Sequence, residues 1–212
     1  MLLAFDTATP AVTVALHDGE RVVASRTVVD ARRQGELLAP GITFVLDEAW
    51  VPRQDLTAIA VGVGPGPFTG LRVGLVTART LGLVLDVPVY GVCTLDVLAA
   101  EAVDTGAVHG PFVVATDARR KEVYWATYDE DGRRLDGPYV SKPHEVATDG
   151  PVVGRGATLY PEAFPNAVGP EHPDARVLAQ VVTDERAELL DPEPLYLRRP
   201  DVAAPGARKP VS

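Results

Sequence analysis

The segment LTAIAVGVGPGPFTGLRVGLVTARTLGLVL (56–85) contains an apolar run, a loop rich in glycine and proline, and a long apolar stretch in succession. The run 56–64 is almost continuously apolar, which is typical of a central strand buried on both faces. The loop GPGPFTGLR (64–72) leads into a helix that we predict from about Thr69 to Leu85. A buried strand followed by a helix that crosses back over the sheet is characteristic of α/β proteins.

The chain on either side of this segment completes the order β-β-β-α-β-α-β-α. The predicted strands are 2–6, 12–16, 21–29 and 87–92, and the predicted helices are about 35–50 and 95–103. Pro40 requires the first of these helices either to begin later or to kink. The order indicates an α/β protein with mixed sheets and helical crossovers.

The second half of the chain repeats the beginning of the first. In both halves an apolar strand ends in an acid, Asp6 and then Asp117, and two more strands follow. This duplication predicts two similar subdomains, residues 1–105 and 106–212. The remaining predicted elements of the second half are strands at 122–129, 133–141 and 151–154, a helix near 174–186 and the segment 195–199. We therefore expect the second subdomain to be less complete, and the tail from Pro200 to fray.

Composition excludes several classes of function. The chain has 212 residues, is 46% hydrophobic and carries a net charge of −9, so we expect a soluble protein that does not itself provide the main electrostatic grip on nucleic acid. The apolar stretch 81–93 is interrupted by Asp86 and Pro88, which argues against a membrane span. With one cysteine, Cys93, and no signal-peptide pattern, we expect a cytoplasmic location. The four histidines are scattered, so no metal site is expected.

Two acidic turns form the first candidate site. The stretches FDTAT (5–9) and TDARRKEVY (116–124) each lead from a strand end into a turn. Two facing turns of this kind can hold a metal–nucleotide, because the acid orients metal or water and the turn amides hold phosphate oxygens. That geometry usually needs a glycine where the first turn has Ala8, and the second turn contains no glycine. An ordinary strand end with a local Asp or Thr turn is therefore the favoured alternative.

The loop 64–72 is a second candidate phosphate site, since its glycines precede a helix N-terminus. However, Pro65 and Pro67 remove amide donors where a phosphate cradle would need them. A structural or docking role is therefore favoured for this loop.

The helix after this loop is apolar on nearly all sides, and the only charges at 71–85 are Arg72 and Arg79. Such a helix must be covered on two sides, of which its own sheet covers one. Either another helix of the same chain or a partner chain covers the other, and an apolar patch of this kind favours a partner. The predicted partner interface consists of Leu37, Gly41, Phe44, Val73, Val76, Thr77, Thr80 and Val84.

Four stretches together resemble the TsaB (YeaZ) family: LLAFDTAT, GVGPGPFTGLRVGLVTARTLGLVLDVPVYGV, DARRKEVYWATY and PLYLRR. The resemblance extends from Met1 to about Arg199. It implies two ribonuclease-H-like subdomains of the actin-like, sugar-kinase-like ATPase fold, in a degenerate member that lacks the phosphate and metal residues and needs no cofactor. The remnant of the nucleotide site would then be Asp6, Thr7, Thr9, Gly64, Gly66, Thr69, Gly70, Arg72, Asp117 and Arg119.

The resemblance also implies a function. Members of this family are non-catalytic, required partners of TsaD, which works with the ATPase TsaE to transfer a threonylcarbamoyl group to the tRNA adenosine 3′ to the anticodon. This chain would reach tRNA indirectly through that complex, and it could form a homodimer when the partner is absent. Two alternatives remain open: a small ATPase or kinase of the same fold, which would need glycines in both acidic turns, and a peptidase, which would need a nucleophile with a positioned base or a metal pair.

Overall fold

The computed structural model describes residues 1–198, which contain ten strands and five α-helices. The strands are β1 (Leu2–Asp6), β2 (Ala11–His17), β3 (Val22–Val29), β4 (Ala58–Gly62), β5 (Val89–Val92), β6 (Phe112–Asp117), β7 (Val123–Tyr128), β8 (Arg134–Ser141), β9 (Val152–Val153) and β10 (Ala167–Val168). The helices are α1 (Gln34–Glu48), α2 (Phe68–Leu85), α3 (Thr94–Asp104), α4 (Arg155–Leu159) and α5 (Ala175–Thr183). Arg199 and the tail from Pro200 lie outside the described residues.

The strands form two five-stranded sheets with the same topology. Their orders are β3-β2-β1-β4-β5 and β8-β7-β6-β9-β10. In each sheet the first three strands along the chain pair antiparallel. The fourth strand pairs parallel with the strand that ends in the acid, and the fifth pairs parallel with the fourth. The α/β class, the mixed sheets and the duplication are therefore confirmed. The second sheet has all five strands, but β9 and β10 contain only two residues each.

The first sheet is buried on both faces, as the apolar run 56–64 indicates. Because side chains alternate along a strand, Leu3 and Phe5 of β1 point toward α1 and α2, whereas Ala4 points to the opposite face. There Ala4 packs with Leu178 of α5. A helix that follows the second sheet in the chain therefore covers the first sheet.

Two contacts fix α5 on the first sheet. The hydroxyl of Thr13 accepts a hydrogen bond from the backbone N–H of Ala175 (2.9 Å), and Nε2 of His17 lies 3.3 Å from Oε1 of Gln180. Both β2 side chains are fully buried, so these contacts satisfy polar groups that would otherwise be costly inside the protein.

Helix α1 differs from the prediction at its N-terminal end. It begins at Gln34 and contains Pro40, so the later start allowed for in the prediction is wrong. Pro40 cannot donate a hydrogen bond back to the preceding turn, but Pro40 and Glu36 are both exposed, so water can satisfy the carbonyl that is left without a partner. The other long elements end within two residues of their predicted limits, except α5, which ends at Thr183, three residues before its predicted end.

Candidate functional site

Asp6 lies at the end of β1, entirely buried, and both of its carboxylate oxygens accept hydrogen bonds. Oδ1 accepts from the backbone N–H of Ala8 (2.6 Å), and Oδ2 accepts from the hydroxyl of Thr94 (2.7 Å). The Thr94 hydroxyl oxygen also accepts a bond from the N–H of Gly64 (3.2 Å). Asp6 therefore ties the first turn, the glycine loop and the start of α3 together.

The glycine loop packs directly against the first acidic turn. A Cβ added at Gly66 would lie 2.1 Å from the carbonyl oxygen of Ala8, and one at Gly70 would lie 2.6 Å from that of Thr7. The Thr7 hydroxyl donates to the carbonyl of Gly70 (2.7 Å) and accepts from the N–H of Gly74 (3.0 Å). These glycines allow close approach of two backbone segments, which is the structural role favoured for the loop.

The second acidic turn has an unusual backbone. Oδ1 of Asp117 accepts a hydrogen bond from the N–H of Arg119 (2.8 Å), and Oδ2 lies 3.4 Å from Nη1 of the same arginine. Arg119, Arg120 and Lys121 have φ angles of 60°, 53° and 61°, so three consecutive residues with side chains adopt the left-handed conformation. This costs about 1–2 kcal/mol per residue. Such strain persists only where the surrounding structure enforces it.

The space between the two acidic turns is small. It is lined by Ala8 and Thr9 from the first turn and by Thr116, Asp117 and Arg119 from the second, and its volume is about 10 Å³. This is about the space that one water molecule needs. Two buried atoms among its lining residues, Oγ1 of Thr116 and Nδ1 of His172, have no hydrogen-bond partner. This crevice can take a water molecule but is too small for a nucleotide. A larger cavity of about 400 Å³ adjoins it, lined by Gly66 and Phe68 on one side and by Arg119 and Tyr196 on the other.

The predicted remnant residues therefore fall into three groups. Asp6, Thr7, Gly64, Gly66 and Gly70 lie together in the tightly packed junction described above. Thr9, Asp117 and Arg119 line the crevice between the turns. Thr69 and Arg72 are exposed on the first turns of α2 and belong to neither group. Thr94, which holds Asp6, was missed because nothing in the order β5–α3 marks its hydroxyl as a partner of a residue 88 positions away.

Burial raises the pKa of Asp6 from 3.8 to about 6, because desolvation outweighs the hydrogen bonds from Ala8 and Thr94. The folded protein thus binds this proton more tightly than the unfolded chain does. The stabilisation from this group is complete below about pH 4 and is lost as the pH rises through 6. It amounts to about 3 kcal/mol, at about 1.4 kcal/mol for each tenfold difference in proton affinity.

Replacing Asp6 with Asn should remove this pH dependence. We expect the unfolding free energy of Asp6→Asn, relative to wild type, to rise by up to about 3 kcal/mol between pH 4 and pH 7. Urea unfolding of both proteins at four pH values in this range measures the difference. Asp55→Asn, which changes an exposed carboxylate, is the control and should keep the wild-type slope. Parallel curves for wild type and Asp6→Asn would show that the buried carboxyl does not titrate in this range.

The predicted partner interface is largely accessible on α2. Val76 and Val84 are 63% and 72% exposed, and Thr80 is also exposed. Next to Val84, Leu83 is 84% exposed. On α1, Phe44 is 39% exposed and lies under the guanidinium of Arg26 at 4.8 Å. We call the set Phe44, Val76, Thr80, Leu83 and Val84 the α1–α2 outer face.

Four predicted interface residues lie elsewhere on these helices. Leu37, Val73 and Thr77 are half-buried, and the first two pack at the edge of the core. Gly41 is buried, and a Cβ there would lie 3.1 Å from Cγ2 of Val14 on β2, so this residue lies on the sheet side of α1. Three further exposed side chains lie on or next to these helices: Leu83, Phe68 at 40% and Trp50 at 92%.

An aromatic cluster lies at the N-terminal end of α2. The Phe68 and Tyr196 rings stack with their centroids 5.3 Å apart, and the guanidinium of Arg72 lies 3.5 Å from the Phe68 centroid. Nε of Arg72 donates to the Tyr196 hydroxyl (2.9 Å), and the N–H of Leu195 donates to the carbonyl of Val63 (2.9 Å). Residues 194–198 of the PLYLRR segment therefore dock on the end of β4 and the start of α2, where Arg72 holds Tyr196.

Among the described residues, one helix, α2, has the length and composition of a membrane span, and 33% of it is buried. Asp86 and Pro88, which interrupt the apolar stretch 81–93, lie beyond the C-terminal end of this helix at Leu85. Core helices of soluble proteins can have the same length and apolar composition, so one such helix is weak evidence for a membrane. Leu71, Leu75 and Ala78 of α2 are buried in the core of the first sheet.

Two further kinds of reactive group are metal-ligating side chains and the thiol of Cys93. Within residues 1–198, no three or more His, Cys, Asp and Glu side chains are grouped so that they could hold a metal ion. The Cys93 thiol is buried, and burial raises its pKa to about 12. It therefore stays protonated at neutral pH and is a poor nucleophile.

Two sheets with the same strand order, each carrying an acidic turn after its first strand, define a duplicated ribonuclease-H-like α/β protein. A family model described as "TsaD: tRNA N6-adenosine threonylcarbamoyltransferase" matches residues 27–170, about two thirds of the chain. The TsaB protein of Escherichia coli is 39% identical over 132 residues, which are 61% of this chain and 55% of that protein. An uncharacterised protein of Mycobacterium tuberculosis is 43% identical over 94% of this chain and 92% of its own length.

Solved structures agree with these relatives. YeaZ from Pseudomonas aeruginosa is 33% identical, with a TM-score of 0.77 over 92% of this chain and 99% of that chain. A protein described as similar to peptidase YeaZ from the same organism is 34% identical, with a TM-score of 0.80 over 93% of this chain and 99% of that chain. The chain belongs to the TsaB (YeaZ) family, within the broader group that the TsaD model describes.

Proposed function

We propose that this chain is a non-catalytic subunit of the machinery that forms threonylcarbamoyladenosine in tRNA, and that it docks on a TsaD-like catalytic subunit through the α1–α2 outer face. The observation that carries the proposal is the exposure of Val76, Leu83 and Val84 on one helix, opposite the side that packs on the sheet. The E. coli relative is named a tRNA threonylcarbamoyladenosine biosynthesis protein, which supports the pathway.

The non-catalytic role is supported by the packing around the two acidic turns. Asp6 is fully buried and both oxygens are occupied, so it does not face a substrate. The crevice between the turns, about 10 Å³, is too small for a nucleotide, and Asp6 does not line the adjoining cavity of about 400 Å³. Glycines that could cradle phosphate instead contact the backbone of Thr7 and Ala8. These observations weigh against the alternative of a small ATPase or kinase.

The proposed complex contains further components besides this chain and the TsaD-like subunit. A TsaE-like ATPase joins the complex, tRNA is reached through the TsaD-like subunit, and the complex works in the cytoplasm. A second copy of this chain covers the α1–α2 outer face when the catalytic subunit is absent, because exposed apolar patches favour association.

Reconstitution tests the role as a required subunit. A TsaD-like subunit, a TsaE-like ATPase, unmodified tRNA and threonylcarbamoyl adenylate are incubated with or without this chain. We expect modified adenosine, quantified by mass spectrometry of digested tRNA, only when the chain is present. Equal product without it would refute the required role, and product from this chain without the TsaD-like subunit would refute the non-catalytic one.

The isolated chain is expected to hydrolyse ATP no faster than a buffer blank, because Asp6 is buried and both of its carboxylate oxygens are held by hydrogen bonds. A coupled assay that detects released phosphate measures this. Turnover on the order of 1 s⁻¹, within the usual range for enzymes, would contradict the prediction if it disappeared in Asp6→Ala. Turnover that survived Asp6→Ala would come from a contaminant or another site.

The peptidase alternative deserves one test, since a solved relative is described as similar to a peptidase. The buried Cys93 thiol is protonated at neutral pH, and the Ser141 hydroxyl accepts a hydrogen bond from Nε1 of Trp125 (3.2 Å), with no histidine bonded to it in the described part of the chain. These contacts weigh against a nucleophile. Cleavage of a denatured protein substrate by the purified chain would revive this alternative.

A further inference from the structure

A cavity of about 780 Å³ lies in the second half of the protein. Its lining comes from the turn after β6, from the segment after β8 and from the end of α4 and the residues that follow it. None of its lining residues belongs to the α1–α2 outer face or to the junction around Asp6. Cavities of this size are typical of small-molecule sites.

Lysine side chains are concentrated around the cavity although the protein is acidic. The chain has a net charge of −9 and only three lysines, of which two, Lys121 and Lys142, line this cavity together with Arg120. The single carboxylate in its lining is that of Glu162. A concentration of cations in a concave surface raises the local concentration of anions, and lysine is a common point-charge partner of phosphate.

The backbone of the cationic side is strained. Arg120 and Lys121 belong to the three consecutive left-handed residues of the second acidic turn, with φ angles of 53° and 61°. The turn is closed by a hydrogen bond from the N–H of Glu122 to the carbonyl of Arg119 (2.9 Å). Strained backbone of this kind is concentrated at ligand sites, where it sets the direction of side chains.

The lining also contains His144, Glu162 and an apolar, partly aromatic wall. Pro143 is buried, Tyr160 is half-buried and Leu159 is 39% exposed, and all three line the cavity. An apolar wall beside a group of cations is suited to a flat, weakly polar ring that carries a phosphate. This is the chemistry of a nucleoside phosphate.

We propose that this cavity binds a nucleoside phosphate, with Lys121 and Lys142 beside the phosphate and the wall formed by Pro143, Leu159 and Tyr160 beside the base. The proposal rests on the proposed function, because a tRNA-modifying complex presents this chemistry in two forms, a nucleotide of the tRNA strand and a free adenosine nucleotide. Both forms offer a base and a phosphate to the same side chains of the cavity, and the experiment distinguishes the two.

The test uses the full chain and two kinds of probe, free AMP or ATP and an unmodified tRNA anticodon stem-loop. Calorimetry measures binding of the free nucleotides, and fluorescence anisotropy measures binding of labelled RNA. We expect wild type to bind one of the probes saturably, and the double variant Lys121→Glu/Lys142→Glu to bind it at least tenfold more weakly. The double variant Arg21→Glu/Arg53→Glu makes the same change in charge at exposed positions outside the cavity and should bind as wild type.

A second variant keeps the test independent of charge. Ala147 lines the cavity and is exposed, so Ala147→Trp fills the space without disturbing the core. It should weaken binding of the same probe to a similar extent. If the lysine variant fails to fold by circular dichroism, the result of Ala147→Trp decides.

Each outcome has a defined meaning. Loss of AMP or ATP binding in both variants supports the cavity with a free nucleotide as ligand, and loss of RNA binding alone supports it with a tRNA nucleotide. Absence of saturable binding by wild type, or wild-type affinity in both variants, overturns the proposal. Co-purification with the TsaD-like subunit separates this result from the proposed function, because the cavity variants should retain the partner whether or not they bind nucleotide.

Discussion

A Leu83→Glu variant should bind the TsaD-like catalytic subunit at least a hundredfold more weakly than wild type, while the free chain folds as before. Leu83 is 84% exposed, so in the free chain a carboxylate at this position meets water and costs little. In the docked complex it would be buried without a partner, which costs several kcal/mol. Since about 1.4 kcal/mol corresponds to a tenfold change in affinity, a hundredfold loss is a modest expectation.

Surface plasmon resonance with the immobilised catalytic subunit measures the affinity, and thermal melting of the free chain shows whether it folds. Val76→Glu should act in the same direction, because Val76 is 63% exposed on the same helix. Leu135→Glu is the matched control: Leu135 is also 63% exposed, but on β8 of the second sheet, so its affinity should equal that of wild type. Wild-type binding by Leu83→Glu, or an equal loss in Leu135→Glu, would place the docking surface elsewhere.

Only some positions on the α1–α2 outer face can be substituted without also changing the stability of the free chain. Val73 was predicted to lie in the interface, but it is half-buried and packs at the edge of the core. A carboxylate there would lower the stability of the free chain and the affinity together. Phe44 lies under Arg26, so removing its ring also removes a cation–π contact within the chain. Leu83 and Val76 avoid both complications.

Much of the fold could be predicted from the sequence because the signals are local and periodic. The run 56–64 is almost continuously apolar because β4 lies in the middle of a sheet covered on both faces. The two strands that end in Asp6 and Asp117 begin two sheets with the same strand order. The apolar stripe of α2 likewise indicates a helix with more apolar surface than its sheet can cover.

What could not be predicted depends on contacts between distant segments or on backbone angles. Nothing in the composition of α5 shows that it packs on β2 of the first sheet, and nothing in PLYLRR shows that Tyr196 stacks on Phe68. The left-handed backbone of Arg119, Arg120 and Lys121 is hidden as well, because left-handed turns are usually marked by glycine or asparagine. The packing of the first acidic turn could not be predicted either. Ala8 showed that the turn lacks the glycine of a phosphate site, but it did not show that Gly66 and Gly70 pack against the backbone of Thr7 and Ala8.

Gly62→Ala should destabilise the protein by about 3–5 kcal/mol, because the added methyl has no space. Its Cβ would lie 1.8 Å from Oδ2 and 2.3 Å from Cγ of Asp6. Asp6 cannot yield easily, since it is fully buried and held by Ala8 and Thr94. Moving it would break at least one of these bonds and leave part of a buried carboxyl unsatisfied, in addition to the cost of overpacking.

Thermal and urea unfolding measure this effect, and for a chain of this size the melting temperature should fall by roughly 10 °C. Gly35→Ala is the control: the nearest atom to its added methyl is 3.9 Å away, and alanine favours the helix, so stability should stay equal or rise. The double variant Gly62→Ala/Asp6→Ala removes the carboxyl that the methyl would strike. Its destabilisation should be smaller than the sum of the two single changes by about 1–3 kcal/mol, as expected for residues in direct contact. If the two changes are simply additive, the cost of Gly62→Ala arises somewhere other than at Asp6, and the tight junction between β4 and the first acidic turn is not what requires glycine at this position.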